Sequence, residues 1–199
     1  MAKNITSSLP LTYSKSLQEI FVAIKNDKKR FLCYELGLLS LKAALSTRNG
    51  DAPVYAKGIK LHQRTKEKKV FRGVLQKLEN MYVKGDVAEE QHVEFIQRTA
   101  DDVSKALGNK LHNGRFRIGV AQKLINLHLK YLWATGHIEE PPHCPIDGII
   151  RDKAKISYDW TTNDSIEAYK QAIEDLKKVA KARTLSVWEL EEFRRRDEE

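Results

Sequence analysis

Between residues 70 and 82, Val70, Phe71, Val74, Leu75, Leu78, Met81 and Tyr82 fall on one side when successive residues are turned by about 100°, and Arg72, Gln76, Lys77 and Asn80 fall opposite. This helical period, not the alternation of a half-buried strand, recurs along most of the chain between short runs of Gly, Pro and Asn. It predicts an all-α protein: a single compact domain over 1–199, with six or seven helices and at most a minor β element. A basic N-terminal part, 1–85, precedes a helical core and C-terminal helices over 86–199. With 199 residues the chain is long enough for one core and too short for two large domains.

The first helix is expected from Ser16 to Ser46. Its segment Phe31–Leu39 is apolar nearly all round, which implies burial on most sides and a central position. Thr47–Pro53 reads as a loop through Asn49-Gly50 and Pro53, and 54–63 as a short strand or irregular chain. A helix from Val87 to Leu107 would take Asp86 as its N-cap and end at Gly108. After a loop over Asn109–Gly114, another helix is expected from Phe116 to Thr135, stopped by Gly136. Pro141, Pro142 and Pro145 then enforce an extended connection, and Pro145 would start a short helix through Ile146, Ile149 and Ile150. Asp164–Glu167 and Ser186–Glu189 both have capping-box spacing and announce two C-terminal helices. The first should bury Ile166, Tyr169, Ile173, Leu176 and Ala180; the second should fray in the charged tail Arg194–Glu199.

Hydrophobic residues at 41% and charged residues at 31% exclude collagenous, mucin-like and mostly disordered classes. The longest uncharged apolar run, Leu36–Leu41, is fenced by Glu35 and Lys42, far short of the roughly 18 residues a bilayer requires. The start, MAKNITSSLPLTYSK, lacks the apolar centre of a secretory signal and makes a poor transit peptide, so a cytoplasmic location is expected. Cys33 and Cys144 offer no disulfide framework and read as reduced thiols.

The net charge of +8 is unevenly placed, with 17 Lys and Arg against 6 Asp and Glu in residues 1–85. Within that part Lys57, Lys60, Arg64, Lys66, Lys68, Lys69, Arg72 and Lys77 face the single acid Glu67. Such a cluster attracts polyanions, because each phosphate neutralised by a cation releases condensed counterions. DNA and RNA share this chemistry, and a merely solvated basic helix face has the same composition. An anionic membrane surface fits less well, since no Trp, Phe and Leu back the cations in one amphipathic helix.

Gly114-Arg115-Phe116-Arg117-Ile118-Gly119 leads into a long helix, where orphan amides, glycine freedom and two arginines suit a phosphate or carboxylate. The alternative is that Arg115 and Arg117 pair with acids such as Asp101 and Asp102, and Gly119 permits a close helix contact. Further along, Gln122, Lys123, Asn126, Lys130 and Trp133 share one arc, which would line a ligand groove with Arg115 at its mouth or else pack against a neighbour. His92 and His128 point inward on their helices, as an acid/base pair, as metal ligands, or as ordinary core histidines.

His137, Glu139, His143 and Cys144 carry atoms that zinc accepts, but no CxxC knuckle or HxxxH helix accompanies them. Glu139, Glu140, Asp147 and Asp152 lack the pattern of a magnesium nuclease. No metal and no cofactor is therefore assigned. No Gly-x-Ser-x-Gly elbow or Cys/His nucleophile motif occurs, and enzymatic activity stays open. The expected function is nucleic-acid binding through the 57–77 cations, helped by Arg115, Arg117, Lys123 and Lys130. One rival is a non-enzymatic subunit or regulator docking on an acidic protein. The other is a metal-dependent hydrolase of nucleic acid or nucleotide, using His92, His128 or the acids of 137–147.

Overall fold

The computed structural model describes residues 11–47, 49–59 and 64–194. Its seven α-helices among these residues are α1 (Leu11–Leu45), α2 (Arg64–Tyr82), α3 (Glu89–Leu107), α4 (Ile118–Ala134), α5 (Gly148–Ala154), α6 (Ile166–Ala180) and α7 (Leu185–Glu192). The fold is all-α. The sole β pairing among the described residues is an isolated antiparallel bridge between Tyr55 and Leu111. No described helix is long and apolar enough to cross a membrane. The expected fraying after Arg194 and the reading of the first ten residues lie outside the described residues.

The chain divides into two compact units, residues 1–35 and 36–199, and α1 contributes to both. In the first unit Phe31 is 66% and Tyr34 48% exposed. In the second, α1 buries a narrow stripe, Leu36, Ser40, Leu41 and Ala44, while Leu39 is exposed. The expectation of a helix buried on most sides is thus corrected: spacing by four, one and three residues gives one contact face, and the other apolar positions lie off it.

The central helix is α4, eleven of whose 17 residues are buried. It packs against α2, α3 and α6. Its first turn runs close to the 158–164 segment, because a Cβ at Gly119 would stand 2.1 Å from the Trp160 carbonyl oxygen. Only glycine permits that approach. Elsewhere the helical periods hold: α2 buries Phe71, Leu75, Leu78 and Tyr82, and α6 buries Ile166, Tyr169, Ile173, Leu176 and Ala180.

Helix starts depart from the local reading. α3 begins at Glu89 with Ala88 as N-cap, since the His92 N–H closes the first turn on the Ala88 carbonyl; Asp86 stands two positions too early to cap it. α5 begins three residues beyond Pro145, where the Asp147 carboxylate accepts from the Ile149 and Ile150 amides. α6 is capped by Ser165, which accepts from Ala168, and α7 by Thr184, which accepts from Val187. Ser186 instead donates to the Pro141 carbonyl at 2.8 Å and ties α7 to the extended proline segment. At the other ends Gly108 and Gly136 take positive φ, as their placement after α3 and α4 requires.

Candidate anion-binding surface

On α2 the stripe Phe71-Leu75-Leu78-Tyr82 faces the core, so the positions between those residues turn outward. Lys69 and Lys77 are exposed there, Lys68 and Arg72 are half-buried, and Lys57 is exposed in the preceding loop. Lys57, Lys68, Lys69 and Lys77 make no ion pair with a described residue. Glu67, the one acid of the 57–77 stretch, is buried and sits 2.7 Å from Lys110 Nζ. It is therefore turned inward, toward the Gly108–Lys110 turn. Lys60 lies outside the described residues, as do the side chains of Arg64 and Lys66.

The cations near α4 are disposed differently. Arg115 Nε lies 2.8 Å from Asp164 and its Nη1 lies 2.6 Å from Asp101. Burial works against the Arg115 charge, but the hydrogen bonds to Asp164 and Asp101 outweigh it and raise its pKa. Arg117 is buried and donates to the carbonyls of Thr161, Ala52 and Pro53 at 2.7, 2.8 and 3.1 Å. Its burial lowers its pKa against the pull of Asp164 and Asp159. The α4 N-terminus is occupied as well, since Asp164 Oδ1 accepts the Ile118 amide at 3.1 Å and the Asn163 carbonyl accepts the Gly119 amide at 2.9 Å. The Gly114–Gly119 segment does bind a carboxylate, and that carboxylate belongs to this chain.

The arc read as a groove is corrected in the same way. Gln122 and Asn126 are fully buried. Gln122 donates to the Ile146 carbonyl at 2.7 Å and accepts the Ile146 amide at 3.2 Å, clamping the extended segment onto α4. Lys123 stands 3.8 Å from Asp147 and 3.9 Å above the Trp160 ring. Lys130 Nζ lies 2.6 Å from the buried Glu189, whose pKa is raised by burial although Lys130 pulls it down. Trp133 is half-buried.

A continuous polar chain crosses the core. Tyr82 Oη and His92 Nδ1 are 2.7 Å apart, His92 Nε2 and Asn126 Oδ1 2.8 Å. Asn126 Nδ2 reaches Tyr169 Oη at 3.1 Å and the Cys144 carbonyl at 3.0 Å. Tyr169 Oη lies 2.7 Å from His143 Nδ1, and His143 Nε2 3.0 Å from Glu89, which also accepts from Lys177 at 2.8 Å. Burial, reinforced by the neighbouring His143, pushes the His92 pKa down to about 3; burial likewise lowers that of His143, opposed by Glu89.

With both rings neutral, one proton order satisfies every link. Tyr82 donates to His92, His92 to Asn126, Asn126 to Tyr169, Tyr169 to His143 and His143 to Glu89. His128, also fully buried, pairs with Glu79 at 2.8 Å and lies 3.3 Å from Ser40 Oγ. Among the described residues no three His, Cys, Asp or Glu side chains are grouped to hold a metal ion. Cys144 is buried, and its thiol pKa is pushed up by that burial.

A cavity of about 560 Å³, absent from the sequence reading, opens where Glu89 and the Glu140–Pro142 segment meet Lys177, Lys181 and the start of α7. Its residues come from four separate stretches, so no local spacing announces it. No family model, no curated protein and no solved structure matches this chain.

Proposed function

We propose that the protein binds nucleic acid by charge, through the outer face of α2 together with Lys57 of the preceding loop. The observation that carries this reading is the disposition of charge in 57–77: Lys57, Lys69 and Lys77 are exposed without ion pairs to described residues, while Glu67 is buried on Lys110. An exposed lysine without an internal ion pair can neutralise a phosphate and release the counterion condensed on it, and that release drives binding without regard to base sequence. Arg115, Arg117, Lys123 and Lys130 are left out of the proposed interface because each already has an internal partner.

The test compares two charge-matched triple variants by fluorescence anisotropy with labelled duplex DNA and single-stranded RNA. Lys57/Lys69/Lys77→Glu should lose about a hundredfold in affinity near 0.1 M salt. Lys105/Lys155/Lys170→Glu, changed at exposed positions elsewhere, should lose about threefold or less, because remote charges are screened beyond about 10 Å. Equal losses in the two variants, or no binding of either nucleic acid by the wild type, would overturn the proposal.

A further inference from the structure

The cavity beside α7 has a built, mixed-charge lining. Glu89 stands at the start of α3, Glu140 and the two prolines come from the extended segment, Lys177 and Lys181 end α6, and Arg183 leads into α7. Internal bonds fix these walls. Lys177 bridges Glu89 and Glu174, each at 2.8 Å; Arg183 pairs with Glu191 at 2.7 Å; and Ser186 holds Pro141. Glu89 is further steadied by the buried chain through His143 and Tyr169.

Two lining groups stand apart from this bracing. Lys181 and Glu140 are exposed, and neither makes a hydrogen bond from its side chain or an ion pair with a described residue. Lys181 also has φ 59° and ψ −119°, a backbone conformation that glycine adopts readily and other residues adopt at a cost. A glycine would suit the turn better, yet the position carries a lysine that lines the cavity.

We infer that this cavity binds a phosphate ester of a polyol, of the size of a sugar phosphate or a mononucleotide. Lys181 receives the phosphate and the Glu140 carboxylate accepts hydrogen bonds from the sugar hydroxyls, while Arg183, Lys177 and Glu89, each already paired within the molecule, hold the walls. Charge-assisted bonds of both signs in one fixed lining select a ligand that bears an anion and hydroxyl donors together. The volume of about 560 Å³ accommodates such a ligand, and Pro141, Pro142 and Leu185 supply an apolar wall for a base. The site is separate from the α2 surface and does not depend on it.

Calorimetric titration and thermal shift of the full chain with ribose 5-phosphate, adenosine monophosphate, ribose, adenosine and inorganic phosphate test the inference. Both phosphate esters should bind, and ribose and adenosine should not. A preference for adenosine monophosphate over ribose 5-phosphate identifies a nucleotide site, and equal affinity a sugar-phosphate site. Lys181→Gly removes the ammonium and relieves the backbone, so it should raise the melting temperature while weakening ester binding about tenfold. Glu140→Gln should weaken the esters and leave inorganic phosphate unchanged. Failure of both esters to bind at millimolar concentration, or unaltered ester affinity in Lys181→Gly, would overturn the inference; neither result touches the α2 reading.

Discussion

On α2, Lys69 and Lys77 reach solvent with no described acid beside them, whereas around α4 Arg115, Arg117, Lys123 and Lys130 all end on partners within the molecule. Both regions register as positive in a count of residues. The α4 cations serve the fold, joining α4 to the 159–164 loop, to α5 and to α7. The α2 cations are placed where a polyanion can reach them. Net charge therefore overstates the charge available for binding, and the contrast between a braced and an unbraced set of cations can be tested by substitution.

The largest effect is expected inside the braced region. Asn126→Ala removes the partner of His92, Tyr169 and the Cys144 carbonyl at once, and each buried group left unpaired costs about 1–3 kcal/mol. A total near 4 kcal/mol should appear in urea unfolding. Arg117→Met, which strands the Thr161, Ala52 and Pro53 carbonyls, should cost about 2 kcal/mol by the same measurement. A smaller figure than for Lys69→Gln would erase the distinction between the two regions.

Acid should weaken the braced region next. His92 is pushed down to about 3 in the folded chain, so between that value and its ordinary pKa of about 6.5 the unfolded chain binds the extra proton. Stability is full above about 6.5 and falls as the pH drops, by up to about 1.4 kcal/mol per pH unit for this histidine. His143, also lowered by burial, adds in the same sense. The raised Glu189 works oppositely, losing stability as pH rises through the carboxylate range. Urea midpoints across this range should show the net fall, and His92→Gln should flatten it. The smallest effect belongs to α2: Lys69→Gln and Lys77→Gln should each change stability by less than about 0.5 kcal/mol while lowering nucleic-acid affinity.

The same contrast explains which parts of the fold the sequence announces. The stripes of α2 and α6 depend only on spacing along one helix, and Gly108 and Gly136 mark helix ends through their own backbone freedom. Asp164 is different. Its spacing to Glu167 suggests a cap for α6, but in the folded chain it meets the Ile118 amide 46 residues away and Arg115 as well, leaving the cap to Ser165.

Long-range partners also hide the central helix. α4 carries Gln122, Asn126 and His128, which look polar in sequence and become core residues because Ile146, Cys144 and Glu79 satisfy them. α1 carries a longer apolar run and buries less of it. For the candidate surface, the excess of cations in 57–77 is legible at once, whereas the inward turn of Glu67 depends on Lys110, far along the chain.

Whether Lys57, Lys69 and Lys77 form the binding surface is read from the salt dependence of duplex DNA affinity for the wild type and for Lys57/Lys69/Lys77→Gln. If these lysines each displace the counterion of one phosphate, the slope of log affinity against log salt should become shallower by about 2.7 in the variant. Parallel lines, with the variant as steep as the wild type, would contradict the account and move the anion-binding surface away from α2.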